Sequence, residues 1–408
     1  MTDLLTPAVR RAVPTLTELP AYLLDLGALR RHAAAVRAAI PPDVELFYAV
    51  KANPDPPVLR ALASHVDGVE VASGGELAHA RSVLPATRVA FGGPGKTPAE
   101  ITDALASGVD RLHVESLLQL RQVAAIAAAL GVAADVLLRV NLPIRPDSPA
   151  PLEMNGPFGM DPGDLDEALT VLRAAPWVRL RGVHAHLASG LGAGALLDIA
   201  ARVVTWASDW ARRAGTPLRE VNLGGGMSVD YGTPLERFDW AAYGRGLAAL
   251  GRAHPGVRLR IEPGRALTAY AGYYATQVLD VKVSAGRAYA VVAGGTHHLR
   301  TPAARQHAQP FAVLPVADWS SPWPRPGVPA GPVTVVGQLC TPKDVLAADV
   351  PTGGLRVGDL VVFGLAGAYA WNISHRDFLM HPPPRFHHLD DTPVVADGGP
   401  VARTAAPA

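Results

Sequence analysis

The chain has 408 residues, 49% of them apolar, with a net charge of +1 and a single cysteine. That length points to two domains, and basic residues spread along a nearly neutral chain exclude a nucleic-acid footprint. One cysteine excludes an intrachain disulfide; the first residues lack a signal-peptide core, and Gly131 and Asp135 break the alanine-rich stretch 123–138 before it reaches membrane length, so a cytosolic protein is expected.

In chain order, strand-like runs alternate with amphipathic ones eight times. The expected strands are 46–50, 66–72, 88–91, 111–114, 135–140, 180–187, 220–223 and 258–261. Asp25 should cap a first helix that places Leu29, Val36 and Ile40 on one face. Further helical patterns follow at 75–84, 98–107, 117–130, 164–174, 196–214 and 240–254. Eight such units predict a (β/α)8 barrel over 25–265, whose active site gathers at the C-terminal strand ends. Beyond Arg265 the texture changes to short β runs at 273–281, 289–292, 333–336 and 360–363, separated by Gly and Pro. These predict an all-β second domain, 266–389, with a disordered tail at 390–408.

Several strand ends carry chemistry. Lys51 follows the apolar run 45–50, which Asn-Pro-Asp-Pro-Pro at 53–57 stops abruptly. Desolvation there would lower the amine's pKa and free its lone pair for bonding an aldehyde. Asn222-Leu223-Gly224-Gly225-Gly226 and Glu262-Pro263-Gly264-Arg265 end two other strands. Exposed glycine amides beside a guanidinium make a phosphate cradle, and a buried carboxylate can meet a pyridine nitrogen. Lysine, cradle and carboxylate together fit pyridoxal 5′-phosphate (PLP). His184 and His186 also share the HxH spacing of a metal-dependent barrel hydrolase. No further carboxylate than Glu262 accompanies them, so no metal is expected.

The motifs YAVKAN at 48–53, HLASG at 186–190, NLGGG at 222–226, EPGR at 262–265, GQLC at 337–340 and GDLVVFGLAGAY at 358–369 carry a resemblance. In this order they resemble the fold-type III PLP-dependent decarboxylases, the family of ornithine, arginine and diaminopimelate decarboxylases. The resemblance implies an alanine racemase-like barrel, with residues 1–24 joining the β-domain. It implies that Lys51 bonds the cofactor, His186 stacks on its ring and Glu262 meets its nitrogen. Ser189, Gly225, Gly226, Gly264, Arg265 and Tyr369 would hold the phosphate. Arg139 would hold the ring hydroxyl or a neighbouring carboxylate, and Glu76 is a weaker candidate that could simply start a helix. Cys340 would protonate Cα after carbon dioxide leaves, in a homodimer with shared active sites.

Two departures bear on substrate. The enzymes of basic amino acids usually follow this cysteine with an acid; here Thr341 stands, with Asp344 nearby as another substrate candidate. The segment 294–300, Gly-Gly-Thr-His-His-Leu-Arg, replaces an acidic pattern, and His297 and Arg300 are expected to favour an anionic distal group. Residues 294–304 and 370–384 resemble decarboxylases of carboxylate-siderophore pathways, which act on an amino-acid unit condensed with citrate. The alternatives are a free diaminopimelate or ornithine decarboxylase, a carrier-linked glutamyl decarboxylase, and, further off, a racemase or a silent PLP-binding regulator.

Overall fold

The computed structural model describes residues 4–145, 150–154, 156–300, 308–390 and 395–396. The chain divides into two compact units. One comprises Arg30–Val229 and Arg237–Leu267, the other Met1–Leu29, Asp230–Glu236 and Thr268–Ala408.

The first unit is a closed parallel barrel of eight strands in sequence order. With β1 reserved for Ala21–Asp25 of the other unit, these are β2 (Glu45–Ala49), β3 (Gly68–Val71), β4 (Val89–Phe91), β5 (Arg111–Val114), β6 (Ala134–Arg139), β7 (Val178–His184), β8 (Glu220–Asn222) and β9 (Arg258–Ile261). All but β7 are at least three-quarters buried along their length, which is why they read as short apolar runs. The helices between them start at side-chain caps. Ser73 accepts from the Glu76 amide, Ser116 from that of Gln119, and Thr97 with Glu100 forms a reciprocal capping box. Asp25 likewise accepts from the Ala28 amide, at the start of helix Leu26–Ala39.

The N-terminal end of the barrel is closed by ions. Arg260, with no exposed surface, reaches Glu45 at 2.6 Å, Asp110 at 3.0 Å and Glu220 at 3.3 Å. Arg88 bridges Glu45 and Asp110, and Arg111 pairs with Glu220. Charges this deep persist because each has several partners. The opposite end is left for chemistry.

The second unit is built on a nine-stranded sheet. Its spine runs β14 (Val345–Thr352), β13 (Gly331–Val336), β11 (Arg287–Val292), β10 (Gly272–Ser284), β1, β16 (Arg385–Leu389). β15 (Leu360–Phe363) pairs antiparallel with β10, and β12 (Phe311–Leu314) with β15. Tyr22, Tyr274, Phe311 and Phe363 pack in one of its cores. Strands β12, β14 and β16 were not expected from the sequence. Of the tail expected to be disordered, Val395–Ala396 pairs with β16; the rest beyond Asp390 lies outside the described residues.

Candidate active site

The C-terminal strand ends of the barrel gather a dense polar group. Lys51 sits in a single 3-10 turn, Val50–Ala52, two residues beyond the end of β2, not directly on the strand end. Its Nζ donates to Glu70 Oε2 at 2.8 Å, and the Lys51 side chain is half exposed while that of Glu70 is buried. Glu70 faces inward from β3. On the other side of β2, Glu262 follows β9, with Oε1 accepting from Asn222 Nδ2 at 2.6 Å. His113 Nε2 and His184 Nε2 stand 3.7 and 3.8 Å from its two oxygens.

Glu262 is held unusually basic. Burial first, then the neighbouring Glu70 charge, raises its carboxyl from 4.5 to about 7, against the Asn222 hydrogen bond and the cations of Arg260 and Lys51. The imidazole of His186, two residues beyond β7, accepts the Gly225 amide at Nδ1, 3.1 Å away. Burial, with Lys51 and Arg139 adding to it, pushes His186 down to about 3, so its ring is neutral. That ring is a flat apolar face with one donor remaining.

The glycine loop is tight by necessity. A Cβ on Gly225 would lie 2.6 Å from the Glu262 carbonyl oxygen, and one on Gly226, at φ +104°, 2.5 Å from that of Ala188. These contacts bring Gly225 and Gly226 against Glu262 and the backbone of Ser189. Gly264 and Arg265 follow Glu262 after Pro263, Arg265 opening a short helical turn. Arg139, the last residue of β6, donates to Glu115 at 2.9 Å and lies over the Phe158 ring; its neighbour is a carboxylate. Glu76 accepts the Ala72 amide at 2.7 Å at the start of its helix, the structural role the sequence left open for it.

The remaining expected residues lie in the second unit. Cys340 is a free, exposed thiol and Thr341 is half-buried beside it. Tyr369 is half-buried with left-handed backbone, φ +48°. Asp344 corrects the expectation of a substrate contact. It is buried, one oxygen accepting from the Thr296 amide and hydroxyl and the other from the Leu339 amide. It ties segment 294–300 to the Cys340 loop. His297 is corrected as well: it is fully buried, and burial pushes it down to about 4, so it brings no positive charge at neutral pH. His298 accepts the Tyr274 hydroxyl at Nδ1 and gives Nε2–H to Pro382. Arg300 is exposed and keeps its charge outside, donating to the Ile373 carbonyl.

Sequence reading missed Glu70, Glu115, His113 and Asn222 as parts of this group. Each lies in or just after a barrel strand, Glu70 between two valines, and strand alternation was the available signal. His113, His184 and Glu262 place one ligand atom each within 4.8 Å of one another, a donor set able to hold a divalent ion.

The lysine, the glycine loop with its guanidinium and the flat imidazole together suit a phosphorylated aromatic aldehyde, which places the molecule among barrel enzymes of PLP. The family model for "Pyridoxal-dependent decarboxylase, pyridoxal binding domain" matches residues 26–269. The chain is 37% identical to the 2-[(L-alanin-3-ylcarbamoyl)methyl]-2-hydroxybutanedioate decarboxylase of Staphylococcus aureus, over 91% of this chain and 94% of that one. It is 36% identical to the diaminopimelate decarboxylase of Actinosynnema pretiosum, over 86% of this chain and 79% of that one. The crystal structure of diaminopimelate decarboxylase from Helicobacter pylori complexed with L-lysine shares the fold at TM-score 0.82, with 23% identity and 95% of each chain covered. The chain belongs to the pyridoxal-dependent decarboxylases. It is a carboxy-lyase with PLP as its cofactor.

Proposed function

We propose that this enzyme decarboxylates an amino-acid unit joined through an amide to a citrate-like polycarboxylate, as in carboxylate-siderophore assembly. The observation that carries this is the loop 340–344. It exposes a thiol and Lys343 and carries the half-buried Thr341 hydroxyl, while its one carboxylate, Asp344, is consumed inside. An acid after the cysteine would grip a distal ammonium; a hydroxyl and cations suit a carboxylate. The Staphylococcus aureus relative supports the same reading, since the substrate it is named for is a hydroxybutanedioate carrying an alanine unit through a carbamoyl link.

The residues fit the cofactor: the glycine cradle leaves no room for side chains, and Glu262 and His186 present a carboxylate and an uncharged ring. Lys51, whose amine is oriented by Glu70, would bond the aldehyde. His186 would lie against the ring, Glu262 would hold a proton at the ring nitrogen, and Arg139 is fixed by Glu115. Ser189, Gly225, Gly226, Gly264, Arg265 and Tyr369 would take the phosphate. The chemistry the cofactor would supply is an electron sink for the Cα–carboxylate bond that breaks. Cys340 would return a proton to Cα, and Arg300 and Thr341 would hold the distal end of the substrate. Metal chemistry at His113, His184 and Glu262 is the lesser reading, because Asn222 already occupies one Glu262 oxygen.

The enzyme acts in the cytoplasm as a homodimer with shared active sites. Phe378 and Met380, the latter 90% exposed, are apolar side chains that a second copy would cover. Among the described residues no helix is long and apolar enough to cross a membrane. Thr341→Glu tests the substrate reading. It should lower kcat/KM for the conjugate by about 10²-fold and raise it for free diaminopimelate. An unchanged ratio between the two substrates would contradict the reading.

A further inference from the structure

Beneath Glu262 lies a set of fully enclosed polar groups that the reaction as described does not use. Asn222 and His113 have no exposed surface, and His184 is 5% exposed. The amide of Asn222 is oriented without ambiguity, because its Oδ1 accepts the Gly224 N–H at 2.9 Å. Its Nδ2 therefore faces Glu262 Oε1 at 2.6 Å and His113 Nε2 at 3.3 Å, with one hydrogen for each. His113 must then keep a lone pair on Nε2 and its proton on Nδ1, an uncharged tautomer. Burial and the cations of Arg260, Lys96, Arg139 and Lys51 all act to keep it so. His184, its ring 4.3 Å from that of His113, has neither nitrogen hydrogen-bonded and points Nε2 at Glu262 Oε2. It too is kept uncharged by burial, with His113, Arg139, His186 and Lys51 adding to the effect. Buried nitrogens without partners cost stability, so their retention here calls for a function.

We propose that His113 and Asn222 are positioning residues that fix where the Glu262 proton resides, and with it the protonation of the cofactor's ring nitrogen. Asn222 donates to Oε1, so that oxygen is committed as an acceptor. His113 Nε2 takes the second Asn222 hydrogen and so helps hold in place the amide that Gly224 orients. A proton on Glu262 is left on Oε2, and on cofactor binding the Oε2–H bond breaks as the ring N–H bond forms. The resulting carboxylate keeps the Asn222 hydrogen bond and gains His184 as a second donor. Glu70 opposes this charge, while Arg260 and Lys51 favour it. The proposal rests on the reading that Glu262 serves the ring nitrogen.

The test uses holoenzyme reconstituted with PLP labelled with 15N in the ring, whose chemical shift reports ring protonation directly. Wild type should show a protonated nitrogen. Asn222→Ala and His113→Phe should each shift the signal toward neutral pyridine and lower kcat by about 10- to 100-fold, with KM little changed. His113→Gln, which restores an acceptor for Asn222, should bring back the wild-type shift. If Asn222→Ala fails to fold, the His113→Phe and His113→Gln pair decides alone. A protonated signal in both Asn222→Ala and His113→Phe, with cofactor fully bound, would overturn the proposal. Glu262→Gln separates the two levels: if it too leaves the signal unmoved, the reading of Glu262 itself fails.

Discussion

Glu262 concentrates the chemistry of the barrel end in one side chain. Its carboxyl is raised to about 7 by burial and by Glu70, so the folded apo-protein holds a proton there that the unfolded chain releases near 4.5. A raised acid contributes stability that is complete below the unfolded value and is lost as pH rises through the folded one. Apo-protein should therefore lose stability between about pH 4.5 and 7, and Glu262→Gln should flatten that part of the curve in denaturant titrations. The same substitution should slow turnover by at least about 10²-fold, because the electron sink weakens. An unaltered pH profile would remove the raised carboxyl from the account. At this scale the sequence put Lys51, His186 and Glu262 at or just beyond barrel strand ends, because each stands at the end of a strand-like run. It could not show that His297 is sealed from water, nor that Asp344 turns inward to three protein donors, since both facts depend on how distant loops close.

The elements were legible where burial is complete and turn chemistry is local. The eight barrel strands stand within about two residues of the expected runs, apart from the end of β7, because β-branched stretches meet capping Ser, Thr and Gly. Strands β12, β14 and β16 escaped notice because Pro, Ala and His interrupt their alternation. Asp230–Glu236 grouping with the β unit has no local signal at all. The floor of the barrel was equally hidden: charged residues at strand starts read as surface until closure buries them. Arg260→Ala should cost about 3–5 kcal/mol, since Glu45, Asp110 and Glu220 would lose a shared buried cation. Chemical denaturation would check it, and a loss below about 1 kcal/mol would mean that Arg88 and Arg111 suffice to hold these carboxylates.

At the scale of the whole molecule, the barrel unit carries Lys51 and the glycine loop, and the other unit carries Cys340 and Thr341. If the enzyme is a dimer with shared sites, mixing Lys51→Ala and Cys340→Ala chains should restore part of the activity, up to about a quarter of wild type for random pairing. Demonstrably mixed dimers without recovery would assign each cysteine to its own chain.

The most direct measurement is carbon dioxide release from two substrates by the purified holoenzyme: the citryl amide of a diamino acid, and free diaminopimelate or ornithine. The loop at 340–344 predicts a kcat/KM at least about 10²-fold higher for the conjugate, the value of one or two charge-assisted contacts. Faster turnover of either free diamino acid would contradict the account and make this a free amino-acid decarboxylase.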